Sequence, residues 1–124
     1  MSRKILVADD EPNIVISLEY LMKREGYTVL VARDGQEALD AIARDRPDLV
    51  LLDVMMPKKS GFEVCQAVRA SEELRAIKIL MLTAKGRDTD LAKGLALGAD
   101  AYMTKPFSTR ELVQKVADML AAQP

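Results

Sequence analysis

Residues 47 to 53 read PDLVLLD. Within this stretch, residues 49 to 52 form an unbroken apolar run of strand length, with no alternation of polar and apolar positions. Such a run is typical of a strand that is buried on both faces, as the strands of a parallel sheet are. Comparable runs lie before and after it in the chain: Ile5–Ala8, Val29–Ala32, Ile77–Leu82 and a weaker Ala101–Met103.

Helical patterns separate these runs. One apolar face combines Ile14, Leu18, Leu21 and Met22, and two others follow near residues 38–42 and 112–120. Three pairs of residues have the spacing of helix caps: Ser60 with Glu63, Ser108 with Glu111 and, more loosely, Asp34 with Glu37. We therefore predict an α/β fold, a doubly wound five-stranded parallel sheet in the common order 2-1-3-4-5, flanked by five helices.

The composition limits the classes of protein to consider. The chain has 124 residues, of which 49% are hydrophobic and 30% charged, and this suits one globular domain spanning residues 1–124. A formal net charge of -1 provides no basic field for a nucleic-acid backbone, so we expect no direct nucleic-acid binding. No signal-peptide pattern opens the chain and no apolar run approaches the roughly 18 residues of a membrane span, so no membrane association is expected. Cys65 is the only cysteine, which fits a reducing cytoplasm.

Histidine is absent from the sequence. Its absence excludes a Ser-His-Asp or Cys-His nucleophile pair and an HExxH zinc site. The chain also cannot carry phosphohistidine itself. Any chemistry must therefore use carboxylates, hydroxyls and lysines.

Two of the predicted strands end in carboxylates. Asp9 and Asp10 follow the first strand, and Asp53 ends the third. In the order 2-1-3-4-5 these strands are neighbours at the point where the strand order reverses, which is where open parallel sheets bind ligands. Three clustered carboxylates repel one another unless one protonates or a cation binds. A set of oxygen ligands without histidine or thiolate favours Mg²⁺, with Mn²⁺ as the alternative.

The other strand ends supply groups that suit a phosphate. The fourth ends in a hydroxyl, Thr83, followed by a small residue that leaves its backbone N–H accessible, and the fifth ends near Lys105. Lys105 would bring an ammonium to the same edge of the sheet. One carboxylate then becomes a nucleophile toward phosphorus. Asp53 is the best placed because it closes the most buried strand, opposite the acidic pair.

Four motifs, in this order and at these separations, resemble the receiver domain of bacterial response regulators along essentially the whole chain: ILVADDEP, PDLVLLDVMMPKKSGFEV, MLTA and GADAYMTKPFS. The resemblance implies the flavodoxin-like receiver fold and a role in two-component signal transduction. It makes Asp53 the acceptor of a phosphoryl group from phosphohistidine on a sensor histidine kinase or a histidine phosphotransfer protein. The chain would then be a phosphorylation-controlled switch that catalyses only its own phosphoryl transfer and dephosphorylation, and not an enzyme for an outside substrate.

The resemblance also implies which groups hold Mg²⁺. Asp10 would bind the ion directly and Asp9 through water, and Asp53 with the backbone carbonyl of Met55 would complete the ligands that the protein provides. Met55, together with Lys85, is further expected to modulate the lifetime of the phosphate.

The remaining implied roles concern catalysis and switching. Thr83 would be the switch hydroxyl and Lys105 the lysine that pairs with the phosphate, and the peptide bond before Pro106 would be cis. On phosphorylation Thr83 would turn inward and Tyr102 would follow, which changes the surface formed by helix 4, strand 5 and helix 5. That surface would control a downstream protein effector or an output domain.

One departure from the family concerns this surface. Receiver domains that dimerise through it usually carry charges at four positions that are apolar here: Leu91, Ala96, Leu97 and Ala101. We therefore do not expect that type of dimer. We hypothesise that Leu91 and Leu97 contribute to an apolar docking patch for a partner protein.

Three other functions compete with this interpretation. A Mg²⁺-dependent phosphatase or phosphotransferase would use Asp53 on a small substrate, but no acidic residue follows two positions later. A flavodoxin-like nucleotide binder conflicts with the loop after the first strand, which would present carboxylates to a phosphate. A pure interaction domain with a decayed site conflicts with the presence of every key residue.

Overall fold

The computed structural model describes residues 3–84 and 88–121. Strands and helices alternate along the chain: β1 (Lys4–Ala8), α1 (Pro12–Arg24), β2 (Thr28–Ala32), α2 (Gly35–Asp45), β3 (Leu49–Asp53), α3 (Gly61–Ala70), β4 (Lys78–Ala84), α4 (Asp88–Ala96), β5 (Ala101–Lys105) and α5 (Thr109–Ala121). All strand pairs are parallel and the sheet order is β2-β1-β3-β4-β5. The predicted doubly wound five-stranded sheet with five helices is confirmed. Among the described helices, none is both long and apolar enough to cross a membrane.

The helices cover both faces of the sheet and build two cores. On one face, α1 and α5 pack against one set of strand residues, such as Ile5 and Leu51. On the other, α2 and α3 pack against the residues in between, such as Leu6 and Val50. Because successive side chains of a strand point to opposite faces, an unbroken apolar run lets one strand serve both cores. Full burial of each Val, Leu or Ile side chain stabilises the fold by about 1.5–3 kcal/mol.

The two edge strands are less buried than predicted, since the sequence pattern indicates strands buried on both faces. β2 and β5 each have one neighbouring strand, and most of their residues are only partly buried. β4 and β5 extend beyond their apolar runs, to Ala84 and Lys105, where the sequence places the ends of these strands. Polar residues continue these strands because the backbone hydrogen bonds of a parallel sheet do not depend on apolar side chains, and Thr83 pairs in register with Thr104. The polar strand ends form the edge of the sheet where the sequence places the site.

The helix caps support the predicted element boundaries. Three side chains accept a hydrogen bond from the backbone N–H three residues later: Ser60 from Glu63 at 3.2 Å, Asp34 from Glu37 at 2.8 Å and Ser108 from Glu111 at 3.0 Å. At Ser60 the capping box is complete, because its own N–H donates to the Glu63 carboxylate at 3.2 Å. Each such cap is worth about 1 kcal/mol.

The guanidinium of Arg69, near the end of α3, joins three segments. It donates to the carbonyl oxygens of Gly98 at 2.8 Å, Arg75 at 2.9 Å and Ile77 at 2.8 Å, and to the Asp100 carboxylate at 2.7 Å. The Asp100 carboxylate also accepts from the N–H of Ile79 at 2.8 Å. The hydrogen bonds of Arg69 therefore link the turn after α4 to the beginning of β4. In this turn Gly98 has a φ of 107°.

We expect the substitution Arg69→Met to lower the free energy of unfolding by about 3 kcal/mol, since it leaves several acceptors without their charged donor. Urea denaturation measures the change. Arg44→Met is the matched control, because the Arg44 guanidinium pairs with Asp45 at the surface and should contribute much less. Equal losses in the two variants would contradict this role of Arg69.

Candidate functional site

Three carboxylates meet at the carboxyl end of the sheet. Asp9 and Asp10 directly follow β1, and Asp53 is the last residue of β3. β1 and β3 are adjacent strands, so the three groups come together where the strand order reverses. One oxygen from each lies within 4.8 Å of the others. Asp9 and Asp53 are buried, with 0% and 7% of their surface exposed, while Asp10 faces solvent.

Lys105 reaches the same cluster from the end of β5. Its Nζ donates to Asp9 Oδ2 at 2.9 Å and to Asp53 Oδ1 at 3.2 Å. Lys105 pairs in register with Ala84, so its side chain crosses the end of β4 to reach β3. Burial alone would lower the pKa of Lys105, but the hydrogen bond to Asp9 and the charges of Asp53 and Asp9 outweigh it and raise the pKa. The side chain is therefore an ammonium at neutral pH.

The surroundings of Asp53 disfavour its negative charge. Burial and then the charge of Asp9 raise its pKa from the ordinary value of 3.8 to about 6, although Lys105 acts in the opposite direction. One ammonium does not neutralise three carboxylates, so the cluster with Asp10 keeps an excess of negative charge. A partly buried, oxygen-only set with surplus negative charge fits a small divalent cation.

In the metal-free protein, the titration of Asp53 should lower the free energy of unfolding as the pH rises from about 4 to about 6. In this window the folded state keeps a proton on Asp53, whose pKa is raised to about 6, while the unfolded chain has already released it. A shift of this size corresponds to a loss of up to about 3 kcal/mol.

The variant Asp53→Asn has no such proton to lose. The unfolding free energy of the variant minus that of the wild type should therefore rise by about 2 kcal/mol between about pH 4 and about pH 7. Urea denaturation in EDTA at the two pH values measures this difference. A difference that stays constant with pH would contradict the assignment of the raised pKa to Asp53.

Two other predicted site residues are close to Asp53, one across the sheet and one along the chain. Thr83 is 2% exposed and lies one residue beyond Leu82, which pairs in register with Asp53. Met55 follows Asp53 by two residues and is 58% exposed. The peptide bond between Lys105 and Pro106 is cis. Lys85, which the sequence also singled out, lies outside the described residues.

Tyr102 lies on another part of the surface. It is 40% exposed and lines a groove of about 450 Å³ between β5 and the beginning of α5, with Phe107 and Glu111 on its walls. The hypothesised docking patch differs in detail from the sequence expectation, because Leu91 and Leu97 are half-buried. The exposed large apolar side chain of α4 is Leu95, at 42%.

Sequence reasoning missed a contact between the corner that joins β2 to α2 and the segment that follows Asp53. The N–H of Gly35 donates to the carbonyl oxygen of Pro57 at 3.2 Å, and the Asp34 carboxylate lies 3.6 Å from Nζ of Lys58. In the sequence, the pattern at Asp34 and Gly35 indicates only the beginning of a helix. The capping bond from the Glu37 N–H lowers the pKa of Asp34 most strongly, and Lys58 lowers it further.

The fold agrees with that of known proteins. The family model described as the response regulator receiver domain matches residues 5–117. A candidate response regulator from Chloroflexus aurantiacus J-10-fl is 36% identical, with a TM-score of 0.94, over 98% of this chain and 99% of that chain. The chemotaxis protein CheY4 of Vibrio cholerae is 33% identical, with a TM-score of 0.88, over 95% and 98%. The BeF3-activated DrrB receiver domain is 30% identical, with a TM-score of 0.87, over 98% and 99%.

The family match makes the chain a signalling domain of the two-component class, and its sheet order and acidic edge fit that class. The chain belongs to the response regulator receiver domain family. Resemblance by motif and the family match therefore agree.

Proposed function

We propose that this receiver domain accepts a phosphoryl group on Asp53 from phosphohistidine of a sensor histidine kinase or a histidine phosphotransfer protein, in a Mg²⁺-dependent reaction. The observation that carries the proposal is the meeting of Asp9, Asp10 and Asp53 with the Lys105 ammonium at one edge of the sheet. The three carboxylates supply the metal ligands and the nucleophile, and the ammonium supplies a partner for phosphate charge.

The residues present fit a magnesium ion, with manganese as the alternative. Asp10 would bind it directly, Asp9 through water, and Asp53 and the Met55 carbonyl would provide the remaining protein oxygens. When bound, the cation neutralises charge on the carboxylates and on the phosphoryl oxygens during transfer. A bound cation would hold Asp53 as the anion, which is the form that attacks phosphorus.

The transfer is a single displacement at phosphorus. A carboxylate oxygen of Asp53 forms the new P–O bond while the P–N bond to the donor imidazole breaks, and the imidazole nitrogen keeps the electron pair. Lys105 is placed to pair with a phosphoryl oxygen, since its Nζ already lies 3.2 Å from Asp53 Oδ1. Hydrolysis of the same acyl phosphate returns the carboxylate, so the domain is a switch that acts on itself.

Switching would follow from the charge and the acceptor oxygens that phosphorylation adds. Thr83 follows Leu82, which pairs in register with Asp53. From this position the Thr83 hydroxyl would form a hydrogen bond with the phosphate. Tyr102 would then move inward from its exposed position and change the surface of α4, β5 and α5. A shift from 1:99 to 99:1 between the two states requires about 5.5 kcal/mol of differential stabilisation. The description of the related DrrB domain as BeF3-activated supports a switch of this kind.

The changed surface would control a downstream protein effector or an output domain. The groove beside Tyr102, with Glu111 and Lys115 in its lining, supports a protein partner, and the exposed side chain of Leu95 adds apolar surface. We further propose that residues 1–124 form one domain that acts in the cytoplasm. This domain would not contact nucleic acid directly.

Intact mass spectrometry after incubation with acetyl phosphate tests the function. The wild type should gain one phosphoryl group in Mg²⁺ and none in EDTA, and the same gain should occur from a phosphorylated histidine phosphotransfer protein. A folded protein that gains no phosphoryl group from either donor in Mg²⁺ would overturn the proposal.

A further inference from the structure

The segment of residues 54–60 joins the candidate acceptor strand β3 to α3. Hydrogen bonds hold it at its beginning, its middle and its end. At its beginning, the Val54 N–H donates to the carbonyl oxygen of Leu82 at 3.2 Å. At its end, Ser60 caps α3. In its middle, the Pro57 carbonyl oxygen accepts two hydrogen bonds, from the N–H of Lys59 at 2.8 Å and from that of Gly35 at 3.2 Å. The last of these bonds comes from a distant part of the chain, the first residue of α2.

Gly35 has no room for a side chain. A Cβ added there would lie 2.5 Å from Lys59 Cβ and 2.6 Å from the Lys59 carbonyl carbon, and would overlap the Lys59 carbonyl oxygen. The φ of Gly35 is outside the left-handed region, so the conformation itself does not require glycine. The close approach of the two backbones requires it.

The middle of the segment has an unfavourable conformation. Lys58 has a φ of 69°, and the bond from the Lys59 N–H to the Pro57 carbonyl makes Lys58 the central residue of a γ-turn. A non-glycine residue in this region is held there by its surroundings. The Asp34 carboxylate, 12% exposed, lies 3.6 Å from Lys58 Nζ and adds an ion pair on the same side as the Gly35 bond.

We propose that Gly35 and Asp34 are positioning residues for the metal site. They hold the segment of residues 54–60 in the conformation in which the Met55 carbonyl joins the three carboxylates around the cation. The inference rests on the proposed function. It assigns a role in that function to the corner between β2 and α2, which contacts none of the reacting atoms. The corner between β2 and α2 thereby belongs to the phosphorylation site.

The first test is Mg²⁺ binding measured by calorimetry on Gly35→Ala. The added methyl must displace the backbone at Lys59, and we expect binding to weaken by about tenfold or more, as for other losses of support behind metal ligands. Gly26→Ala is the matched control. Gly26, in the turn between α1 and β2, has a φ of 94° and open space around its Cβ position, so this change strains the backbone far from the site. Circular dichroism and urea denaturation establish that each variant folds.

The second test uses the wild type and remains decisive if Gly35→Ala does not fold. Because coupling between two sites is reciprocal, Mg²⁺ must stabilise the corner if the corner supports Mg²⁺ binding. Amide hydrogen exchange at Gly35 and Lys59 should slow on addition of Mg²⁺, while exchange at Gly26 should not change.

The outcomes separate the inference from the proposed function. If the wild type binds no Mg²⁺, the proposed function fails and the inference fails with it. If the wild type binds Mg²⁺ but Gly35→Ala binds it equally well, or the two amides are unaffected by the metal, only the inference is overturned. Equal weakening in Gly35→Ala and Gly26→Ala also overturns it, since that result indicates a general loss of stability.

Discussion

Replacement of Asp53 by asparagine should abolish phosphoryl uptake. The amide has nearly the same size and its oxygen can still accept a hydrogen bond from Lys105, but it lacks the anionic oxygen that attacks phosphorus. With acetyl phosphate and Mg²⁺, we expect the rate of phosphoryl gain to fall on the order of a thousandfold or more, as for removal of a nucleophile. Intact mass spectrometry over time measures the rate.

The matched control is Asp40→Asn on α2. Asp40 is exposed and accepts a hydrogen bond from Gln36, so this change removes one negative charge without touching the cluster. It should keep the wild-type rate. Phosphoryl gain by Asp53→Asn at an undiminished rate would place the acceptor on another residue, and loss in both variants would indicate damage unrelated to the site.

Replacement of Lys105 by methionine should have two effects of opposite sign. Methionine keeps the length of the side chain but removes the ammonium that lies 2.9 Å from Asp9 and 3.2 Å from Asp53. Without this cation the carboxylates repel one another more strongly, and we expect Mg²⁺ to bind more tightly. Phosphoryl uptake at saturating Mg²⁺ should nevertheless slow by about a hundredfold, because the charge on the phosphoryl oxygens loses a fixed donor.

The opposite signs distinguish a direct role from structural damage. Calorimetry with Mg²⁺ and the mass measurement with acetyl phosphate follow the two effects separately. Lys23→Met, at a surface pair with Glu19, is the control and should change neither quantity. Weaker Mg²⁺ binding together with slower uptake in Lys105→Met would point to a disturbed site, and an unchanged uptake rate would remove Lys105 from the reaction.

The class of fold could be predicted because the pattern of apolar residues is local. Continuous runs such as Leu49–Leu52 bury both faces of a strand, and the helical patterns between them leave a parallel sheet as the consistent arrangement. The ends of β4 and β5 do not follow from the apolar pattern alone, and they were placed by the groups that the strand ends carry. Thr83, Thr104 and Lys105 are polar, and they are strand residues because a neighbouring strand is there to bond with, as in the register pair of Thr83 and Thr104.

The candidate site was predictable to the level of residues but not of contacts. Strand ends carry Asp9, Asp10 and Asp53 to one edge of any sheet in this order, and the structure brings them within 4.8 Å. That Lys105 bonds both Asp9 and Asp53 depends on how far a long side chain extends across β4, which no local pattern describes. The roles proposed for these residues remain predictions for the experiments above.

The sequence by itself therefore determined the fold class, the family and the edge of the sheet where the chemistry lies. Apolar periodicity, turn residues and motif spacing act between near neighbours in the chain, so they can be recognised without the structure. Only the tertiary structure decided the raised pKa of Asp53 and the contact of Gly35 with the segment after it. Burial, repulsion between carboxylates and the overlap that excludes a Cβ at Gly35 arise between distant parts of the chain, and folding alone brings those parts together.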